Sequence, residues 1–310
     1  MSSVVAWPVI ALLALAPVQS GLAGSLADKA WIHGSSDCAE NRDPPLDVYR
    51  FDADSYILRQ NKCVNFEAPF IYILFGQHTA FVLDTGATAD AGEFPLYEAV
   101  RSLAARRNVP KLKILVAHSH SHGDHREGDG QFRGKPGVTL VEPDTESVRK
   151  FFGFSSWPEG LARVDLGGRT LEVVPAPGHQ DEAIVVHDAQ TGWLLTGDNL
   201  YPGRLYVRDW NEFRSSIARM VEFSGTRRIS AVMGGHIELS SSGKLFDAGS
   251  TYQPGEAGLA MTREDLLRLD QVLRAAGDDP REIVTPTFAV VPIGTFWRML
   301  GDVIGWFSGR

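Results

Sequence analysis

Residues 117–129 read Ala-His-Ser-His-Ser-His-Gly-Asp-His-Arg-Glu-Gly-Asp and carry four of the nine histidines in this 310-residue chain. Inside them lies His120-x-His122-x-Asp124-His125. Imidazole is the commonest metal ligand near neutral pH. A catalytic zinc site also takes carboxylate oxygen and keeps one position open. His120 and His122 stand two apart, so in extended chain their rings point the same way and can chelate one ion. A turn at Gly123 then lets Asp124 and His125 face a second ion. A purification tag would be terminal and homopolymeric, and this stretch is neither. The cluster is therefore read as a metal site.

The elements around it must hold it rigidly. The apolar run 113–117 before the cluster reads as a buried strand, which puts the histidines on the loop that leaves it. Upstream, runs 70–75 and 79–83 flank a Gly-containing turn, a hairpin signal. Leu96, Val100 and Leu103 recur at helical spacing. Strands are expected at 138–142, 170–174, 183–187, 193–196 and 229–233. Asp144, Asp209 and Thr262 are placed to cap helices, the second with Glu212 three residues on.

The ordered set of motifs resembles the metallo-β-lactamase superfamily. His120-x-His122-x-Asp124-His125 follows a strand, and Asp84 ends an earlier one. Gly178-His179, Asp198 and His236 each follow a later strand, in the family's order. The fold this resemblance implies is α/β, a four-layer αββα sandwich of two sheets between helical layers. It further implies that His120, His122 and His179 hold one cation and that Asp124, His125 and His236 hold a second, with Asp198 bridging them. Two divalent ions are expected, zinc first, with iron and manganese as the other candidates. The ions would share a water whose pKa falls toward ~7. Asp124 and Asp198 are the expected catalytic carboxylates. Asp84 is expected to accept a ligand imidazole's N–H. His118 is a further supporting candidate, and Tyr201 is a candidate for substrate contact.

A formal net charge of −8 speaks against a nucleic-acid partner. Residues 1–23 are apolar, too short for a comfortable membrane span, and end in small residues. They read as a signal peptide, although no Lys or Arg stands near the start. The chain is expected to be exported, periplasmic or secreted, with no membrane contact afterwards. Cys38 and Cys63 are the only cysteines. Neither adjoins a ligand candidate; they could pair or remain free thiols. Residues 24–65 read as a polar lead-in, and residues 66–310 as the catalytic domain with a C-terminal helical extension. The last apolar stripe, Phe296 to Phe307, reads as a helix covering the core.

This chain has no cysteine in the second ligand set and does have Asp198, which moves it from true zinc β-lactamases toward the glyoxalase II-like and lactonase-like branches. The expected activity is hydrolysis of a small-molecule ester, thioester or lactone. The alternatives are a single-iron oxidoreductase resembling persulfide dioxygenases, a β-lactamase, and a non-enzymatic exported metal-binding protein.

Overall fold

Apolar runs that alternate with turn residues pair locally, and the computed structural model shows two sheets built that way; it describes residues 26, 29–107, 109 and 111–294. The first sheet takes its strands in chain order. They are β1 (Leu46–Arg50), β2 (Ser55–Gln60), β3 (Phe70–Phe75), β4 (Thr79–Leu83), β5 (Lys113–Ala117) and β6 (Val138–Leu140). Pairing is antiparallel through β4 and parallel beyond it. The second sheet holds β7 (Ala162–Asp165), β8 (Thr170–Pro175), β9 (Ile184–Asp188), β10 (Trp193–Gly197) and β12 (Ala231–Gly234). Its one parallel pair is β10 with β12.

Three apolar clusters define four layers. Between the sheets, Tyr72, Phe81 and Leu115 meet Leu171, Ile184 and Trp193. Outside the first sheet, Leu96, Val100 and Leu103 of helix α1 (Leu96–Ala105) cover Ile71, Ile73 and Val82. Outside the second, Phe213, Ile217 and Met220 of α5 (Trp210–Ser224) and Leu266, Leu269 and Leu273 of α6 (Arg263–Ala276) cover Val185, Leu194 and Val232. This is the expected αββα arrangement. Buried Arg169 ties the two sheets at one end, pairing with Asp188 at 2.6 Å and donating to Ser55 and to the carbonyls of Asp54 and Phe75.

The capping residues behave as their chemistry demands. Asp144 accepts from Ser147 N at the start of α4 (Thr145–Phe152), Asp209 accepts from Glu212 N, and Thr262 forms a capping box with Asp265.

Two expectations need correcting. The supposed lead-in contains β1 and β2, so the sandwich starts well before residue 66. β2 reads Ser-Tyr-Ile-Leu-Arg-Gln and is buried at every position. Arg59 meets Glu256 and Gln60 meets Thr88, so polar side chains buried by distant partners hid the strand. A third sheet of β11 (Arg204–Val207), β14 (Ala289–Pro292) and β13 (Ile283–Val284) was also not foreseen. The expected leader and the expected helix around Phe296–Phe307 lie outside the described residues. Among the described residues no helix is long and apolar enough to cross a membrane. Cys38 and Cys63 are joined in a disulfide, which settles the question their spacing left open.

Candidate metal centre

All seven expected ligands sit just past strand ends on one rim. His120 and His122 follow β5, and Asp124 and His125 lie on α2 (Gly123–Arg126), a single helical turn where a plain turn was expected. His179 follows β8, Asp198 follows β10 and His236 follows β12. Two glycines let them approach. A Cβ on Gly178 would lie 2.3 Å from the backbone of Phe213, and one on Gly235 would lie 2.6 Å from Asp198 Oδ1 and 2.7 Å from His125 Cε1.

The ligand atoms form two groups. In the first, His120 Nε2, His122 Nδ1 and His179 Nε2 stand 3.0–3.2 Å apart. Asp198 Oδ2 lies 3.6 Å from His179 and 3.9 Å from His120. In the second, His125 Nε2, His236 Nε2 and Asp124 Oδ2 stand 3.1–3.3 Å apart. Asp198 Oδ1 lies 3.5 Å and 3.6 Å from the two imidazoles there. One carboxylate thus turns one oxygen to each group.

The outward nitrogens fix the inward ones. His125 Nδ1 meets Asp84 at 2.9 Å, His179 Nδ1 the carbonyl of Tyr206 at 2.7 Å, and His236 Nδ1 the carbonyl of Glu67 at 3.1 Å. His120 Nδ1 meets Ser119 Oγ, whose own hydroxyl donates to Asp84. The side-chain amide of Gln180 sits 2.5 Å from His122 Nε2. For His120, His125, His179 and His236 the outward nitrogen faces an acceptor and carries the N–H, so lone pairs face one another within each group, an arrangement that repels itself unless a cation lies between. A tetrahedral zinc shell with arms near 2.0–2.1 Å has edges of roughly 3.3 Å, close to the spacing seen. Asp198 Oδ1 is moreover a buried acceptor with no hydrogen-bond donor, which is costly unless something else meets it. The residues fit a pair of cations.

Charge tells the same story. Burial, helped by the neighbouring imidazoles, holds His120 and His122 well below the ordinary histidine range. Burial also works against protonation of His125 and His236, but the second group is rich in carboxylate. Asp124, Asp84 and Asp198 outweigh burial and hold His125 well up, while Asp198 and Asp124 hold His236 up to about 9. Burial would lift Asp124, yet His125 and His236 keep it well below the usual carboxylate range.

Asp84 lies beside the second group. It accepts from Ser119 N and Oγ and meets His125, and it does so from a left-handed backbone with φ +72°. Two expectations fail. His118 reaches no ligand: its Nε2 meets Asp129 at 2.7 Å on the far side of the loop. Tyr201 is buried, packs edge-on against His236 and donates its hydroxyl to the carbonyl of Arg204, so its role is packing and not substrate contact. Ser119, Gln180 and the carbonyls of Glu67 and Tyr206 were not anticipated. Ser119 and Gln180 adjoin ligands in the sequence, a signal that could have found them. Glu67 and Tyr206 act through their carbonyls, which no side-chain pattern reveals.

Residues 64–284 match the family described as the metallo-beta-lactamase superfamily. The chain belongs to that superfamily. Among curated relatives of this metallo-beta-lactamase member, acyl-coenzyme A thioesterase MBLAC2 of Bos taurus is 25% identical over 221 residues, covering 59% of this chain and 77% of that protein. Hydroxyacylglutathione hydrolase of Rhizobium meliloti (strain 1021) is 27% identical over 143 residues, covering 44% of this chain and 53% of its own. The solved structure of TMB-1 aligns with a TM-score of 0.50 at 17% identity, over 76% of this chain and 100% of its own, a likeness of fold.

Proposed function

We propose that this chain hydrolyses the acyl carbon–sulfur bond of a small-molecule thioester, with esters and lactones as the neighbouring substrates, using two divalent cations, zinc first. The observation that carries this reading is Asp198, whose two oxygens face two separate triads of ligand atoms. The named substrates of the relatives, an acyl-coenzyme A and a hydroxyacylglutathione, are both thioesters, which supports the choice among carbonyl compounds.

When bound, such a pair of cations supplies an activated water and polarises the carbonyl to be attacked. The chain's own residues do the rest. On the first side His120 and His179 present lone pairs, held in that tautomer by Ser119 and the Tyr206 carbonyl, and Gln180 fixes the ring of His122. Asp198 draws the two sides together and offsets part of the repulsion between like charges. Asp124, with 18% of its side chain exposed against 8% for Asp198, is the more open of the two carboxylates and can orient the attacking water. Asp84 holds both His125 and the backbone of Ser119, so the two sides keep their spacing during reaction.

We also place the protein outside the cytoplasm. The Cys38–Cys63 disulfide supports this, since such bonds persist in oxidising compartments.

The test is elemental analysis of the purified protein, followed by a panel of acyl thioesters, esters and lactones. Two zinc ions per chain and thioester turnover abolished by chelation are expected. A single iron with oxygen uptake, or turnover untouched by chelation, would sink the reading.

A further inference from the structure

His120 and His125 are oriented by Ser119 and Asp84, His122 by Gln180, and His179 by the Tyr206 carbonyl on β11. His236 differs. Its Nδ1 donates to the carbonyl of Glu67, on the connection between β2 and β3, at 3.1 Å. That connection, residues 61–69, has no strand or helix of its own, and Ala68, next to Glu67, is held at φ +45°. A non-glycine residue keeps such a backbone only where its surroundings enforce it. The enforcement comes from two directions. Toward the sheet, Asn65 Nδ2 donates to the carbonyl of Ala87 at 2.9 Å and Lys62 Nζ closes the loop onto the carbonyl of Phe66 at 2.7 Å. Toward the N-terminal segment, Asn61 Nδ2 donates to Asn41 and to the carbonyl of Pro44, and Cys63 is bonded to Cys38. The disulfide is the one covalent tie on this loop. Both cysteines are half-buried and flanked by exposed Phe66, Ala39 and Glu40, so a small reductant can reach them.

We propose that the Cys38–Cys63 disulfide is a positioning element for the second cation: it holds residues 61–69 so that the Glu67 carbonyl aims His236, and its reduction loosens that site selectively. Reduction moves two electrons and two protons from a dithiol to the two sulfurs, leaving the dithiol as its own disulfide. The first triad is oriented from other segments, His120, His122 and His179 from Ser119, Gln180 and Tyr206. The backbone of Gly235 stays anchored, its carbonyl accepting from Phe70 N at 2.8 Å, so what is lost is the aim of one ring and not its strand. The inference rests on the two-cation reading.

The experiment titrates metal-free protein with zinc by calorimetry, and with cobalt by absorbance, comparing the oxidised protein with the double variant Cys38→Ser, Cys63→Ser. Loss of a group that orients a ligand costs about 10–100-fold in metal affinity. The expected result is a second equivalent weakened by that factor and a first equivalent unchanged, with the cobalt spectrum of the first site preserved. Two equivalents bound as tightly as in the oxidised protein would overturn the proposal, as would equal weakening of both, the mark of general loosening. If the double variant fails to fold, the oxidised protein is reduced with a phosphine, desalted and titrated, and the same outcomes decide. Should the oxidised protein itself bind one equivalent, the two-cation reading fails, and the proposal with it.

Discussion

Replacing Asp198 by alanine is the sharpest perturbation available. Its two oxygens stand 3.5–3.9 Å from four imidazole nitrogens, two in each triad. Removing one member of a buried charged set costs about 3–5 kcal/mol. At about 1.4 kcal/mol per decade, that is two to three and a half decades in cation affinity. At a free zinc concentration 100-fold above the dissociation constant, each occupied site adds about 2.7 kcal/mol to stability, and the variant loses nearly all of that at the same zinc concentration. For a domain of this size, each kcal/mol moves the midpoint by about 2–4 °C, so zinc should raise the wild-type Tm by about 5–10 °C per site and the variant's far less. Thermal scans with chelator and with zinc, alongside thioester turnover, make the comparison. A variant that keeps two zincs and near-normal turnover refutes the bridging role.

Asp84→Asn should weaken the second cation by about 10–100-fold through loss of the charged anchor on His125, read by zinc titration; unchanged affinity would remove Asp84 from the site. Arg169→Leu strands the buried carboxylate of Asp188 and should cost about 3 kcal/mol in denaturant unfolding, while a neutral result would show that Thr191 alone satisfies Asp188. Hydrogen bonding from Arg227 holds Glu172 down to about 2, against an ordinary glutamate value near ~4.3, with burial opposing and His187 and Arg163 assisting. A depressed carboxylate contributes stability above its unfolded value and loses it as pH falls toward its folded one. Glu172→Gln should therefore be less stable than wild type at pH 7, with the gap closing between about pH 4.3 and 2 in urea melts; a pH-independent gap would refute the assignment.

The convergence of the seven candidate ligands was legible because a cation restricts its partners to a few side-chain types, and the chain places each just after an apolar run. Their aim was less legible. His179 and His236 take their orientation from carbonyls of Tyr206 and Glu67, and any residue can offer a carbonyl. His118 failed because direction, not proximity in sequence, decides contact: its ring turns to Asp129 while His120, two residues on, turns inward. β2 escaped notice because a buried arginine and glutamine break the apolar pattern, and Arg59's partner, Glu256, lies 197 residues away. The short strands β11, β13 and β14 carry too few residues for periodicity to declare itself.

Each triad draws on both sheets. His120 and His122 come from the first and His179 from the second; Asp124 and His125 come from the first and His236 from the second. An ion seated in either triad would therefore rivet the two halves of the sandwich along one seam. Prising that seam apart means shedding the ions first, so the loaded molecule should come undone from the opposite edge, and digestion by a protease should begin there.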